Sequence, residues 1–258
     1  MLFHYPALMG GGSDITITIT KNSTNLDVAT LANNAGWNKS GKVTLIIESG
    51  VYVYATSTSG AAITVSGTFP NGVDIINNGY ILGYGGQGGD ATARYDKFGL
   101  PGGTALVLNS PVNITNNGTI AGGGGGGGAG GMYVNYSSGV PGGGGGGGAP
   151  LGPGGNTSGN SKKGSAGTLT APGAGGLGSG GNNGEGYDSY YKRAGYPGTG
   201  KGASGGTYGN KGEQGTYGGG SESTARRYPG AGGAAGAYID GNTYATWKKT
   251  GTRIGNVI

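Results

Sequence analysis

Cysteine is absent from this 258-residue chain, and histidine occurs only once, at His4. The lack of cysteine excludes a disulfide scaffold and thiolate metal sites, and one histidine leaves almost no material for a histidine-based triad or zinc site. Only 10% of residues are charged and the net charge is +5, so the chain is not a polyelectrolyte binder and no nucleic-acid partner is expected. The sequence contains no run of 18 apolar residues, so no membrane-spanning helix is expected. The apolar stretch Met1–Met9 lacks the features of a signal peptide, and we expect it to be a start or a cut within a longer protein.

Glycine is the residue in excess, at 69 positions. Two runs of seven, Gly122–Gly128 and Gly142–Gly148, lie either side of the tyrosine-bearing segment Met132–Val140. Ordering such a run costs more conformational entropy than ordering any other heptamer, and glycine-rich sequence without a period is commonly disordered. The alternative is an extended left-handed helix with three residues per turn, whose backbone groups bond only to neighbouring chains. A helix surrounded on every side needs glycine at all three positions, which seven consecutive glycines supply.

Three features favour the ordered form. Patterned β sequence flanks the glycine tract, aromatic loops interrupt it at spacings that suit short helices, and the long Gly/Ser runs of flexible linkers are missing. We therefore expect a polyglycine type II helix bundle over residues 83–236. Each seven-residue run would be roughly 22 Å long at about 3.1 Å per residue.

Residues 1–82 are predicted to form a β domain that carries one short helix. Asp14–Thr20 alternates isoleucine and threonine strictly, which is typical of a half-buried strand. Leu26–Ala35 is predicted to be the helix, ended by Gly36, and Trp37 is expected to fill the core. Further strands are predicted at Lys42–Glu48, Val51–Ala55, Ala62–Ser66 and Val73–Asn77.

An internal repeat joins this domain to the glycine tract. Val73–Gly83 (VDIINNGYILG) and Val112–Gly122 (VNITNNGTIAG) match at a separation of 39 residues. Each is interpreted as a strand, an Asn-Asn-Gly turn, a second strand and entry into glycine, because Asn and Gly tolerate the positive φ of hairpin turns. The repeat predicts that strands feed directly into the glycine helices.

Residues 237–258 are predicted to be a C-terminal β-hairpin that returns to the β region. Asp240-Gly241 is a good hairpin turn between Ala237–Ile239 and Thr243–Trp247, and Trp247 and Ile254 offer apolar surface for the return. The expected fold class is mainly β with one short helix, followed by a polyglycine type II helix bundle and a C-terminal β-hairpin. The expected domains are 1–82, 83–236 and 237–258.

Tyrosine and basic residues cluster in the loops that interrupt the glycine tract. Tyrosine with Ser, Gly and Asn is the composition of antibody paratopes, because tyrosine gives a large contact area at small entropic cost. Arg and Tyr are also enriched at binding hot spots. The alternative is that these tyrosines only cap the ends of the bundle. The candidate binding residues are Arg94, Tyr95, Lys97, Tyr133, Tyr136, Tyr187, Tyr190, Tyr191, Arg193, Tyr196, Arg226, Arg227 and Tyr228.

Counting chain reversals predicts that these loops share one surface. The strand before Gly83 directs the first glycine run away from the β domain, and each later loop reverses the chain. With Asn182–Gly184 and Thr207–Lys211 as turns near the β domain, the small neutral turns face that domain and the Tyr/Arg loops face outward. The loops expected at the far end are Asp90–Pro101, Ala129–Pro141, Asn156–Ala171, Tyr187–Pro197 and Ser221–Pro229.

The sequences NNGTIAGGGGGGG and NNGYILG and the ending YIDGNTYATWKKTGTRIGNV resemble the C-terminal tips of phage host-specificity proteins, the central tail fibres of lambda-like and T1-like siphophages. The glycine bundle also resembles the adhesin at the tip of T-even long tail fibres. The resemblance covers roughly Asp14 to Ile258. It implies a virion adhesin at the distal end of a tail fibre, joined to the rest of the fibre as a homotrimer. Its variable loops would bind a bacterial outer-membrane protein or lipopolysaccharide, and the receptor's identity stays open.

Two other classes of protein compete with an adhesin. A polysaccharide-degrading enzyme needs two carboxylates at a set separation, whereas the loop acids are scattered and mostly lie beside Lys or Arg. An ice-binding glycine-rich protein would show flat Thr- or Ser-lined faces and not Tyr/Arg loops. Gly122–Gly128 also lacks the Lys-Ser/Thr of a phosphate loop. No enzyme activity, catalytic residue, metal site or cofactor is therefore expected. The loop acids are Asp90, Asp96, Glu185, Asp188, Glu213 and Glu222.

Overall fold

Strands between residues 15 and 257 form five coils of a three-sided parallel β-solenoid. Each coil gives one strand to each of three sheets, and successive coils pair in parallel. The computed structural model describes residues 13–91, 98–131, 133–135, 138–178, 185–188, 193–197, 199–217 and 228–258, with the backbone alone between 133 and 140 and between 185 and 197.

The strands follow one another in this order. The first coil contains β1 (Ile15–Ile19), β2 (Ser23–Thr24) and β3 (Leu26–Asp27), the second contains β4 (Val43–Ile47), β5 (Tyr52–Tyr54) and β6 (Ile63–Val65), and the third contains β7 (Val73–Asn77), β8 (Tyr80–Leu82) and β9 (Leu106–Leu108). The fourth begins with β10 (Val112–Asn116) and β11 (Thr119–Ala121). Two hairpins follow, β12 (Tyr133–Asn135) with β13 (Ser138–Val140) and β14 (Glu185–Asp188) with β15 (Arg193–Pro197), before β16 (Ala237–Asp240) completes the fourth coil. The fifth contains β17 (Ala245–Lys249), β18 (Thr252–Ile254) and β19 (Asn256–Val257).

Ladders of inward-facing aliphatic side chains fill the solenoid. Alternation sends every second residue of a strand inward, and in-register pairing stacks equivalent positions of successive coils. On the first sheet Leu45, Ile75 and Ile114 stack in this way and are fully buried, and Trp247 continues the ladder in the fifth coil. Burying one such side chain contributes about 1.5–3 kcal/mol relative to leaving it exposed. The repeated stacking is therefore the main source of stability in this region.

The Asn-Asn-Gly repeat is a corner of the solenoid and not the predicted hairpin turn. The flanking strands β7 and β8 belong to different sheets, and neither Gly79 nor Gly118 has a left-handed φ. Buried Asn77 donates from Nδ2 to Asn116 Oδ1 at 2.8 Å, and the two Oδ1 atoms accept the N–H groups of Gly79 and Gly118 at 3.1 and 3.2 Å. A Cβ on Gly118 would lie 2.1 Å from the Gly79 carbonyl oxygen. The repeat therefore needs asparagine for an amide ladder and glycine for close stacking.

The α-helix of the described residues, α1 (Val28–Asn34), is shorter than predicted because Leu26 and Asp27 pair in β3. Asp27 caps it, its Oδ1 accepting the N–H of Thr30 at 2.8 Å. Trp37 after the helix is buried, stacks on Phe69 with ring centroids 5.1 Å apart, and donates from Nε1 to the Gly41 carbonyl at 2.7 Å. The predicted core role of Trp37 is confirmed.

The predicted C-terminal hairpin is wrong. β16 pairs with β9 in the third sheet, whereas β17 pairs in parallel with β10 in the first. Gly241 has the left-handed φ expected of its turn, +81°, but it opens a 3-10 helix, η1 (Asn242–Tyr244), that carries the chain to the next coil. The reason is that the preceding coils already offer each strand a parallel partner. The tail nevertheless lies on the solenoid, because Trp247 lies beside Ile114 and Ile254 pairs within the second sheet.

The chain leaves the solenoid between β8 and β9 and again between β11 and β16, and there it forms the glycine array (residues 83–105 and 122–236). Strands β9 to β11 thus lie inside the interval 83–236 assigned to the bundle, and the three-domain division stays a prediction. In its described residues the array has ten segments, and two of them, 122–131 and 142–149, are inner. Eight outer segments surround them in the cyclic order 83–91, 98–105, 229–236, 210–217, 199–206, 172–178, 161–168 and 151–157.

Backbone hydrogen bonds join the segments with a period of three residues. Successive residues of an inner segment donate to three different neighbours, and every third residue returns to the same neighbour. Their carbonyl groups accept from three further segments, so each inner segment has six neighbours. The N–H groups from Gly123 to Gly128 donate in order to the carbonyls of Gly103, Ala149, Asn210, Leu100, Gly146 and Glu213, at 2.7–2.9 Å.

Close packing accounts for the glycines of the inner segments. A Cβ on Gly125 would lie 2.0 Å from the Gly233 carbonyl oxygen, and one on Gly145 would lie 1.9 Å from that of Gly127. Outer segments turn at least one residue in three outward: segment 83–91 buries Gly85 and Gly86 but leaves Gln87 half-buried, and segment 172–178 buries Gly176 but exposes Leu177. Non-glycine residues therefore concentrate on the outside of the array. Among the described residues, no helix has the length and hydropathy that a membrane crossing requires.

Candidate functional site: the far end of the glycine array

The direction of each glycine segment follows from the order of its hydrogen bonds. Gly86 and Gly89 donate to Gly124 and Gly127, so segments 83–91 and 122–131 run in the same direction, away from the solenoid. In contrast, Gly123 donates to Gly103 while Gly126 donates to Leu100, so segment 98–105 runs back. The order of the hydrogen bonds between the other neighbouring segments shows that all ten segments alternate strictly between the outward and the returning direction.

This alternation sorts the connections between segments into two ends. The near end, beside the solenoid, has the strands β9 to β11 and three short turns at 149–151, 168–172 and 207–210. The far end has five connections, whose described anchor residues are 91 and 98, 131 and 141, 157 and 161, 178 and 199, and 217 and 228. The hairpins β12–β13 and β14–β15 belong to two of these far-end connections.

One part of the predicted loop order is wrong. Asn156–Ala171 is not a single far-end loop, because segment 161–168 runs back through it: Gly144 donates to Lys162 and Gly147 to Ser165. The far-end turn is at 157–161, and Thr168–Ala171 is a near-end turn closed by the Thr168 N–H bond to the Ala171 carbonyl at 2.7 Å. The predicted near-end turn Asn182–Gly184 lies outside the described residues, but the segments on either side, 172–178 and 199–206, both meet that connection at the far end.

The candidate binding residues divide into three groups. Tyr228 is described completely and its side chain is 74% exposed. Tyr133, Tyr187, Arg193 and Tyr196 are described by their backbone, in the strands of the two hairpins. Those outside the described residues are Arg94, Tyr95, Lys97, Tyr136, Tyr190, Tyr191, Arg226 and Arg227.

Further exposed aromatic residues occupy the rim of the far end. The Tyr217 ring lies edge-on to Tyr228 with centroids 5.8 Å apart, and Phe98 is 62% exposed. Gly99 donates to Ala231 and Gly215 to Gly230, so the segments that end in these three aromatics are adjacent. The sequence hypothesis did not include Phe98 or Tyr217. The signal that could have found them is an aromatic residue directly beside a glycine at the edge of a loop, since Phe98 precedes Gly99 and Tyr217 precedes Gly218.

The three near-end turns carry no charged residue, and the turn 207–210 packs on the solenoid at Ile254. Tyr208, in the turn 207–210, donates from its hydroxyl to the Leu169 carbonyl of the neighbouring turn. Burial, with the nearby Tyr52 and Tyr80, raises the pKa of Tyr208 to about 12. Tyr52 and Tyr80 stack with centroids 4.4 Å apart and planes 5° from parallel. The two ends of the array therefore differ in role, since aromatic side chains are packed at one and exposed at the other.

One far-end acid with a described side chain, Asp90, has a structural role. Asp90 accepts the N–H of Asn156 at 2.6 Å and so ties two segments together. In the described part of the chain, no group of three His, Cys, Asp or Glu side chains could hold a metal ion. The arrangement is suited to contact between surfaces.

The fold thus combines a parallel β-solenoid at one end of a glycine array with five chain connections at the other. The chain is similar to a solved structure described as the gp37-gp38 adhesin tip complex of the bacteriophage S16 long tail fiber, with a TM-score of 0.62 and 25% sequence identity. The match covers 95% of this chain and 82% of that one. No curated protein sequence matches the chain.

Residues 14–258 match the family model described as phage tail fibre adhesin Gp38. The chain therefore belongs to the Gp38 family of phage tail fibre adhesins, and its place is the distal end of the long tail fibre in the virion. The expected resemblance to long tail fibre adhesins is confirmed. The resemblance to the central fibres of lambda-like and T1-like siphophages stays a prediction.

Proposed function

We propose that this adhesin recognises a bacterial outer-membrane protein through the five far-end connections of its glycine array. The observation that carries the proposal is the strict alternation of the ten segments, which brings the anchors of all five connections to one end. The contact residues would be the thirteen predicted from sequence, together with Phe98 and Tyr217. Exposed tyrosine supports this role because a tyrosine gives large contact area for two rotatable bonds.

Adsorption inhibition tests the receptor. Soluble protein should block phage adsorption to sensitive cells and bind the purified receptor protein, and exchange of the far-end loops between adhesins should move host range. Exchange of the near-end turn 168–172 is the matched control and should leave host range unchanged. Blocking that persists on hosts lacking every candidate outer-membrane protein but is lost on hosts with truncated lipopolysaccharide would make the sugar the receptor. Shortening of purified polysaccharide chains, with host range unmoved by loop exchange, would identify an enzyme.

We also propose that the ten segments are polyglycine type II helices. The three-residue period of their hydrogen bonds supports this, since that helix has three residues per turn and no internal bonds. Amide hydrogen exchange measures the order directly. Protection of Gly123–Gly128 as strong as that of the solenoid strands is the expected result, and exchange at the rate of a random coil would contradict it.

The solenoid is the part that we propose joins the rest of the fibre. The S16 adhesin is described in complex with gp37, and the solenoid is the region that lies away from the loops here. Co-purification of the adhesin with the fibre protein of its own phage should survive loop exchange. The homotrimer stays an expectation, and the mass of the adhesin bound to that fibre would check it.

A further inference from the structure

Charged side chains are unevenly distributed around the glycine array. Four consecutive outer segments, 210–217, 199–206, 172–178 and 161–168, carry every lysine described in the array and one acid, Glu213. The four outer segments of the opposite side carry a single charged residue among their described positions, Asp90. The described lysines are Lys162, Lys163, Lys201 and Lys211. The array therefore has a basic side and a nearly uncharged side.

Three of these lysines lie close to the far end, and we name them the lysine belt: Lys162, Lys163 and Lys201. Lys162 and Lys163 follow the far-end turn 157–161, and Lys201 follows the far-end anchor at 199. All three are exposed. Lys211, in contrast, follows a near-end turn.

Hydrogen bonds hold the lysine belt at one level of the array. The Lys162 N–H donates to the Leu177 carbonyl at 2.8 Å, and the Gly202 N–H donates to the Gly176 carbonyl at 2.9 Å. Lys162, Leu177 and Lys201 thus lie beside one another on three adjacent segments. Leu177 between them is 43% exposed. The result is a row of exposed lysines with fixed backbones and an apolar residue among them, on the side of the array just behind its far end.

We propose that the lysine belt binds the anionic groups of the bacterial outer surface glycolipid, the phosphates and carboxylates of lipopolysaccharide, while the loops hold the receptor. The inference rests on the proposed function, because loops bound to a protein in the outer membrane bring the wall behind them into the surrounding sugar layer. Charge complementarity supports this partner, since cations near an anionic surface are attracted over about a Debye length. Because the described lysines of the array lie on one side of it, contact with lipopolysaccharide is expected on that side.

Vesicle binding tests the proposal with the full chain. The triple variant Lys162→Glu/Lys163→Glu/Lys201→Glu is compared with wild type on phosphatidylcholine vesicles with and without lipopolysaccharide. The matched control, Lys21→Glu/Lys248→Glu/Lys249→Glu, makes the same charge change at exposed lysines of the solenoid. We expect the belt variant to lose at least about tenfold in affinity for the lipopolysaccharide vesicles at low salt, with the loss shrinking as salt rises. The control and the Lys→Arg triple variant should bind like wild type.

Two outcomes would overturn the proposal. Equal losses in the belt and control variants would show that only net charge matters. An equal loss by the belt variant on the purified receptor protein without lipopolysaccharide would assign the lysines to the receptor. Receptor binding by wild type is measured in the same experiment, so a failure of the adhesin hypothesis is seen separately from a failure of the belt. Thermal unfolding of each variant confirms that it is folded.

Discussion

The solenoid and the glycine array fill the space between their chain segments in opposite ways. Both are stacks of parallel or antiparallel chain segments joined sideways by backbone hydrogen bonds. The solenoid fills its interior with side chains such as Ile75 and Ile114, while the inner segments of the array meet only backbone. A core of side chains accepts one aliphatic residue for another, because volume can be redistributed. At positions such as Gly125 and Gly145 the core of backbone has no room for a Cβ, so the two regions should respond very differently to small substitutions.

The largest effect is expected from one methyl group inside the array. Gly125→Ala or Gly145→Ala places a Cβ 2.0 or 1.9 Å from a backbone carbonyl oxygen, far inside van der Waals contact. Only a shift of whole segments can relieve this clash. We expect a loss of roughly 4 kcal/mol or more, or failure to fold. Thermal unfolding measures it, with Ala231→Val at an exposed outer position as the control, expected to change stability by less than about 0.5 kcal/mol. A Gly125→Ala protein with the melting temperature of wild type would refute the backbone core.

The solenoid should tolerate shape changes but not large cavities. Ile114→Ala removes a fully buried side chain from the first-sheet ladder, and its cost is expected to be about 2–5 kcal/mol. Ile114→Val should cost about 0.5–1.5 kcal/mol. Denaturant midpoints give both values, and Thr115→Ala on the outward side of the same strand serves as the control. If Ile114→Val were as damaging as Gly125→Ala, the contrast between the two regions would disappear.

The asparagine ladder should be of intermediate importance. Asn116→Ala removes the acceptor for Asn77 Nδ2 and for the Gly118 N–H, and the donor to the Thr250 carbonyl at 2.8 Å. Leaving buried groups unpaired is expected to cost about 1–3 kcal/mol. The neighbouring Asn117→Ala removes only the exposed bond to Asn78 and should be nearly neutral. Equal melting temperatures for the two variants would contradict the role assigned to the buried amides.

The smallest effect concerns the junction of the two regions. Tyr208→Phe removes the bond to the Leu169 carbonyl, and the expected cost near neutral pH is about 1 kcal/mol. Because burial raises the pKa of Tyr208 to about 12 from 10.0, folding favours the neutral phenol. That stabilisation is complete below the unfolded pKa and is lost as pH rises through the folded one. The melting temperatures of wild type and Tyr208→Phe should therefore converge from pH 10 to pH 12, and a constant gap would count against the buried phenol.

The sequence predicted the parts of the fold whose signal is local. Alternation located Ile15–Ile19 and Val73–Asn77, and the two seven-glycine runs correspond to the two inner segments. The hairpins at Asn-Asn-Gly and Asp240-Gly241 were wrong because turn chemistry specifies the bend and not the partner of the next strand. The repeat indicated two equivalent stretches 39 residues apart, which stack in successive coils. A match between two copies, however, does not reveal whether they pair in parallel.

For the candidate site, counting reversals predicted which end of the array most loops occupy, while the contact residues stay a prediction. The far-end position of loops 90–101 and 129–141 followed from counting reversals. The count failed at Asn156–Ala171, where Lys162, Lys163 and Ser165 occupy a returning outer segment that has few glycines. An outer segment needs glycine only where it faces inward, so its signal is weak. Lys162 and Lys163 of the lysine belt were assigned to a far-end loop for the same reason.

The array joins the solenoid at four strand ends, those of β8, β9, β11 and β16, which lie in two adjacent coils. A pull applied at the far-end loops runs along the segments and meets the hydrogen bonds between them side by side. Such bonds share a tension and are sheared together, whereas the bonds of a hairpin pulled open at its end break one at a time. The tension then enters two coils through four strands at once. A tip of this design resists the forces of a virion anchored to a moving cell with a core that contains hardly any side chains.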